Sequence, residues 1–402
     1  MQKQQISLVD RIYIVPFILI TSLFFLWGFA HAILDVLNKH FQELLDISKT
    51  HSAFIQATMY MGYFIMAIPA GLFINKYGYR RGVVFGLMLY GIGALMFIPG
   101  QYSMSFNFFL FSLFVIGCGL TFLETAANPY VTELGARETA ASRLNFAQSF
   151  NGLGCISAPI LAGVLLLSGD DNASTDGNVA LPYTIMGIVV LIVALIFSRV
   201  KLPEIKHETE AGSETEKRGL WSHKLFVFGL VALFSYEIGE ISINSFFINY
   251  VVEQDWMNAR EASMILSFGG LTLFMVGRFA GSWIMRRVAA ERMLLVCAAG
   301  TVITTAIVVA DCGKLSLVSL LLCYAFEAIM FPTIFALSLR GLGDYTKRAS
   351  SFLMMSPVGG VVGPLLMGYV ADIYNMSLSF IVPCIGYVVV LAYAYTFVKS
   401  SR

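Results

Sequence analysis

Long apolar runs dominate this chain, and short charged or polar clusters separate them. Twelve runs stand out. Six lie at 13–44, 52–75, 82–99, 106–133, 143–168 and 182–199, and six more at 223–252, 261–286, 291–310, 315–340, 349–374 and 378–398. A helix needs roughly 20 mostly apolar residues to cross the hydrocarbon core of a bilayer. Backbone groups find no water there, so only helices or closed barrels span it. Barrel strands alternate apolar and polar positions, whereas these runs are continuous. The pattern therefore predicts an all-α membrane protein with twelve transmembrane helices. Residues 200–222 interrupt it: they are charged and contain Pro203 and Gly212. They are expected to form a cytoplasmic linker joining a six-helix bundle at 1–199 to a second at 223–402.

Charge placement orients the helices. With the N-terminus in the cytoplasm, 21 of the 26 Lys and Arg fall on the cytoplasmic side, including Lys76, Arg80, Arg81, Arg286, Arg287, Lys347 and Arg348. Lys39, Lys49, Arg260 and Lys314 fall outside, and Arg278 lies within a helix. Lys and Arg concentrate on the cytoplasmic face, so both termini are expected inside. Composition agrees with burial in lipid. Charged residues are 13% and apolar residues 57% of the chain, against about 25% charged in a soluble domain. A net charge of +1 implies no nucleic-acid partner. The cysteines, 118, 155, 297, 312, 323 and 384, have no paired CxxC spacing, so neither a disulfide framework nor a metal site is expected. No cleavable leader is expected either, because residues 1–12 are polar and the apolar run behind them is long.

The two halves repeat. Run 4 carries Glu124-Thr-Ala-Ala-Asn-Pro129 and run 10 carries Glu327-Ala-Ile-Met-Phe-Pro332. Run 5 leads from Arg143 to Pro159 and Gly163, and run 11 from Arg348 to Pro364 and Gly368. Ala70-Gly71 and Ala280-Gly281 each precede a basic loop. Paired six-helix halves with a site between them are the layout of many transporters. Gly71-Leu-Phe-Ile-Asn-Lys-Tyr-Gly78-Tyr-Arg80-Arg81 resembles the loop motif between helices 2 and 3 of the major facilitator superfamily, with Asn75 where an acid is usual. Other segments carry a closer match: Phe24-Phe25-Leu26-Trp27; Ile55-Gln56 with Tyr60-x-Gly62-Tyr63-Phe64; Leu123-Glu124-Thr125-Ala126-Ala127-Asn128-Pro129; Arg143-Leu144-Asn145-x-Ala147-Gln148-x-Phe150-Asn151; Gly277-Arg278-Phe279; and Pro332-Thr333-Ile334-Phe335. Through them the chain resembles the fucose/galactose/glucose–proton symporter family of that superfamily along nearly its whole length.

An ionisable group inside the bilayer is functional by default, because its insertion costs several kcal/mol. Asp35, Glu124, Glu237, Glu240, Arg278 and Glu327 all fall within the apolar runs. Asp35 lies ten residues before Leu45, about 15 Å along the helix. Low dielectric disfavours an ionised carboxylate, so one that alternates between wet and dry surroundings takes up and releases a proton. The resemblance implies that role for Asp35; an ion pair with Lys39 is the structural alternative. Leu34 and Lys39 stand where the family has Asn and Pro. For Glu124 the resemblance implies a link between sugar binding and proton transfer, with an interhelical hydrogen bond as the alternative. Ionised, a carboxylate accepts from sugar hydroxyls; protonated, it donates. Proton coupling is thus assigned to Asp35 and Glu124.

Amide and carboxylate groups suit a hydroxyl-rich ligand, and the substrate candidates are Gln56, Asn128, Gln148, Asn151, Glu240, Asn244, His31 and Glu327. Gln148 and Asn151 share a face of one helix, and Glu240 and Asn244 lie one turn apart. Glu237 and Glu327 are additions relative to the family, either as a pair, as sharers of a proton, or as shapers of a different sugar site. Arg278 is read as an anchor of the cytoplasmic gate. Trp27, Tyr60 and Tyr236 are candidates to stack on a pyranose ring.

The resemblance, together with these residues, implies a proton-coupled symporter importing a monosaccharide, fucose or a related hexose, across a bacterial inner membrane by alternating access. It is read as a monomer, with the proton as coupling ion and no cofactor. A drug–proton antiporter of the same superfamily and a transporter-like sugar sensor are the alternatives. An enzyme is not expected, since no HExxH, GxSxG or phosphate-loop motif occurs.

Overall fold

The computed structural model describes residues 8–45, 49–167, 180–200, 202 and 219–400, and side chains within these except at 34–45, 49–54, 56, 159–167, 259, 260 and 263. Among the described residues there are helices and no strands. Twelve helical elements follow the twelve apolar runs. The first six are α1 (Ile14–Leu45), α2 (Lys49–Tyr77), α3 (Tyr79–Leu95, extended by Phe97–Ser103), α4 (Phe106–Glu133), α5 (Ala140–Leu167) and α6 (Ala180–Arg199). Next come α7 (Lys224–Glu253), α8 (Ala259–Ile265, Leu266–Leu271 and Thr272–Ile284) and α9 (Ala290–Val309). The last are α10 (Lys314–Glu327 and Met330–Leu339), α11 (Thr346–Leu353, Ser356–Val358 and Gly359–Ile373) and α12 (Met376–Ser379 and Ile381–Ser400). Ten stretches of the described residues are long and apolar enough to cross a bilayer. The expected linker, 200–222, lies mostly outside the described residues.

Local chemistry explains the departures from simple apolar runs. The third helix begins three residues earlier than the run at 82–99, because Gly78 makes the turn at φ 85° and the chain re-enters the helix at once. A positive φ of that size is cheap only for glycine. Arg80 and Arg81 are thereby drawn into the first turn of α3, where Arg80 donates to the carbonyls of Phe197 (Nε, 3.3 Å) and Ser198 at the end of α6. Those carbonyls lack partners within their own helix, and a cation completes them. In α8 the middle turn, Leu266–Leu271, is a π turn. Its Gly269-Gly270 pair weakens regular α geometry. In α10 the helix breaks at Ala328–Ile329, one turn before Pro332. Proline has no N–H to return to the carbonyl four residues back, and here that carbonyl is Ala328's.

Contacts gather the chain into two compact units. One comprises residues 15–130 and 150–206; the other comprises 1–14, 131–149 and 207–402. In the first unit, α1 and α5 cross at backbone distance: a β-carbon on Gly28 would stand 2.0 Å from the Asn151 carbonyl oxygen, and one on Gly154 would stand 2.2 Å from that of Phe25. In the second, α7 and α11 cross as closely, with Gly363 against the Ile238 carbonyl and Ser242 Oγ, each at 2.5 Å. Small residues at such crossings are how helices associate where lipid provides no hydrophobic drive.

Segment 131–149 joins the second unit through side chains on α5. Ser142 Oγ donates to the Ser282 carbonyl at 2.6 Å, and Ser282 Oγ returns a bond to the Ser142 carbonyl at 2.8 Å. Asn145 Nδ2 donates to Thr333 Oγ1 at 3.1 Å. Arg143, with no exposed surface, donates to the carbonyls of Val131 (3.0 Å), Thr132 (2.6 Å), Gly135 (3.3 Å) and Ala136 (2.9 Å). This guanidinium finishes the C-terminal end of α4.

Candidate proton and substrate sites

In the first unit, α4 carries Glu124 to a position 3% exposed. Tyr63, buried on α2, donates its phenol to Glu124 Oε1. The same phenol lies 3.2 Å from His31 Nε2 on α1, and the His31 ring stands 6.1 Å and 6.5 Å from the rings of Tyr63 and Tyr60. A carboxylate, a phenol and an imidazole from three helices thus form one hydrogen-bonded chain. Each member exchanges protons or hydroxyl hydrogen bonds. His31 is half-exposed while Glu124 is buried, so the chain reaches from accessible space into the packed interior. Asn128 lies one turn beyond Glu124 and is fully buried. Asn151 sits on α5 at its crossing with Gly28, and its Oδ1 accepts from Cys155 Sγ at 3.9 Å. Trp27 is buried and stacks on Phe24 at 5.1 Å, which makes it a packing residue in this structure. Asp35 and Gln56 belong to α1 and α2, but their side chains lie outside the described residues.

The second unit collects Glu237, Glu240 and Asn244 from α7, Arg278 from α8 and Glu327 from α10. Glu327 has no exposed surface. Tyr387 on α12 donates its phenol to Glu327 Oε2, while Oε1 has no hydrogen-bond partner. Coulombic interaction links Glu327 to Glu240 and Arg278, and Glu240 in turn to Glu237. Glu240 therefore couples to both of the other carboxylates. Arg278, 5% exposed, donates Nε to the Ala328 carbonyl at 3.1 Å and Nη1 to the Gln148 carbonyl at 3.1 Å. The first of these is the carbonyl that Pro332 leaves without a helical partner. The face of Phe274 lies 4.3 Å from the guanidinium carbon. Two further polar atoms here are buried without hydrogen-bond partners, the phenol of Tyr324 and Oδ1 of Asn244.

Of the residues singled out in the sequence, His31 and Glu124 meet through Tyr63, and Glu240 and Glu327 share one electrostatic cluster. Gln148 and Asn151 fall in different compact units, and Gln148 is engaged through its main-chain carbonyl. Tyr63 and Tyr387 were not singled out. Tyr63 lies within the segment Tyr60–Phe64, but a phenol's partner is set by tertiary packing, which spacing along the chain does not reveal.

The model of the Major Facilitator Superfamily matches residues 16–356. The glucose/galactose transporter of Brucella abortus is 36% identical over 387 residues, covering 95% of this chain and 93% of the relative. The L-fucose-proton symporter of Escherichia coli is 35% identical, covering 96% and 93% respectively. Among solved structures, the transporter FucP in the outward conformation superposes with a TM-score of 0.86 at 33% identity, over 96% of this chain and 99% of that one.

Proposed function

The chain belongs to the Major Facilitator Superfamily, a multi-pass membrane protein of transporter class, and from that premise we propose that it imports a monosaccharide together with a proton. The observation that carries this reading is the Glu124–Tyr63–His31 chain, set in a protein that aligns over more than nine-tenths of its length with a glucose/galactose transporter and an L-fucose-proton symporter. A buried carboxylate is tolerated when its charge is cancelled and restored in the course of work.

In this proposal Asp35 and Glu124 take up the proton, and sugar hydroxyls bond to Glu124, Asn128, Asn151, Gln56 and His31. Gln148, Glu240, Asn244 and Glu327 are the further substrate candidates. Loading neutralises the carrier, and the six-helix halves at 1–199 and 223–402, joined by the linker at 200–222, alternate access to the two sides. The protein acts as a monomer in a bacterial inner membrane with both termini in the cytoplasm. A drug–proton antiporter would share the fold, but the relatives that match at 35–36% identity are sugar transporters.

The test is transport by purified protein in proteoliposomes. With labelled L-fucose, D-galactose and D-glucose offered in turn, one of them is expected to accumulate against its gradient, to alkalinise the medium on entry, and to stop accumulating with a protonophore. Accumulation that a protonophore leaves unchanged would overturn the proposal.

A further inference from the structure

The second unit holds three carboxylates and one guanidinium inside its helices: Glu237, Glu240 and Glu327 with Arg278. If all were ionised, the cluster would carry two uncompensated negative charges. The desolvation cost of each is several kcal/mol, and among the described residues Arg278 is the cation that interacts with Glu327. The groups that face Glu327 are Tyr387 of α12, Tyr236 and Glu240 of α7, Arg278 of α8, and Tyr324 and Cys323 of its own helix. Charge balance then requires protons to reside on the carboxylates whenever the cluster is dry.

The hydrogen-bond inventory is consistent with a movable proton. Glu327 Oε2 accepts from Tyr387, an arrangement that suits an ionised carboxylate, and Oε1 is unpartnered at full burial. The fully buried Tyr236 phenol interacts with both Glu240 and Glu327. A phenol both donates and accepts, so Tyr236 is placed to pass a proton between the two. Glu240 is less buried than Glu327 and is the cluster's outer member.

We propose that Glu327, served by Tyr236 and Glu240, is a second proton-binding centre, separate from the Glu124 chain, so that more than one proton accompanies each sugar. The proposal rests on the symport reading. The proton leaves Glu240 or water, lodges on Glu327 Oε1, and is returned by the same route; no bond other than O–H forms or breaks.

Two measurements test it. Infrared difference spectra of protein in lipid nanodiscs, taken across a pH series without sugar, are expected to show a protonated-carboxyl band that titrates and is lost in Glu327→Gln. A band that Glu327→Gln leaves unchanged, or one that persists at every pH, overturns the proposal even if no sugar has been found. Proton-to-sugar stoichiometry is then read from reversal potentials in proteoliposomes, using whichever of L-fucose, D-galactose and D-glucose is accumulated. Glu327→Gln is expected to lower it by about one proton, and Tyr236→Phe to slow uptake while leaving stoichiometry intact. Equal stoichiometry in the wild type and Glu327→Gln overturns the second centre while leaving symport standing. Absence of any sugar-linked proton movement in the wild type counts instead against symport itself. Stimulation by sodium at fixed pH, lost in Glu327→Gln, would reassign the cluster to a metal cation and overturn the proposal.

Discussion

Glu124 and Glu327 occupy the same place in a repeated pattern, a glutamate with proline five residues on, yet their surroundings differ. The α4 helix runs unbroken through Pro129, and its glutamate meets a phenol from α2 that also contacts a half-exposed histidine. The α10 helix breaks before Pro332, and its glutamate meets a phenol from α12, with two other carboxylates and one arginine sharing the neighbourhood. One glutamate is a link in a hydrogen-bonded chain with a phenol and an imidazole; the other is a member of a charge-sharing group. A duplicated motif thus preserves the position of an acid without preserving what neutralises it.

Arg278 is where the contrast is most easily broken. Arg278→Ala would remove the guanidinium from the Ala328 and Gln148 carbonyls, and with it a positive charge that interacts with all three acids. The expected loss is about 3–5 kcal/mol of stability, read as a lower melting temperature in detergent. Arg278→Lys, which keeps charge but not the planar fork, should recover part of it. Glu124→Gln addresses the other side. Losing a charge-assisted hydrogen bond to a sugar hydroxyl is worth about 1.5–3 kcal/mol, so apparent affinity should fall by roughly 10- to 100-fold, and accumulation driven by a pH gradient should vanish while downhill exchange survives.

Two glycine substitutions ask whether the helix crossings of the two units are equivalent. Gly28→Ala and Gly363→Ala each place a carbon within 2.5 Å of a backbone oxygen. Overpacking of this kind costs about 1–3 kcal/mol. Gly28→Ala should cost more, because its contact at 2.0 Å is the tighter and is with backbone alone; thermal shifts of the two variants decide it. The smallest expected effect separates the phenols. Tyr63→Phe and Tyr387→Phe each remove one hydrogen bond, worth about 1 kcal/mol net. Tyr63→Phe should slow proton-coupled uptake because it cuts Glu124 from His31, whereas Tyr387→Phe should leave Glu327 without its hydrogen bond and show mainly in thermal stability.

The helices were legible because a bilayer demands length and apolarity, which a chain displays openly. The run at 106–133 coincides with α4, and that at 182–199 begins two residues inside α6. What escaped was set by backbone details: the π turn at Gly269-Gly270, the break at Ala328–Ile329, and the early start of α3, where arginines enter the helix because a neighbouring helix end needs them. The acids were legible as anomalies in an apolar run. Their partners were not, since Tyr63 and Tyr387 lie some sixty residues from the glutamates they serve. Arg143 shows the same limit. Within its motif it is simply a positive charge at the head of α5, whereas its bonds to the end of α4 depend on how the loop between them folds.

The second segment of α10, Met330–Leu339, is buried at every one of its ten positions. Such a segment has no side that lipid tails can touch. Changing acyl-chain length or sterol content should therefore act on this protein through its outer helices, and this stretch should respond only as its neighbours do, like a spindle inside a bearing. Fluorinated phenylalanines at Phe331 and Phe335 would report on that insulation, with spectra that stay constant when short-chain lipids are exchanged for long.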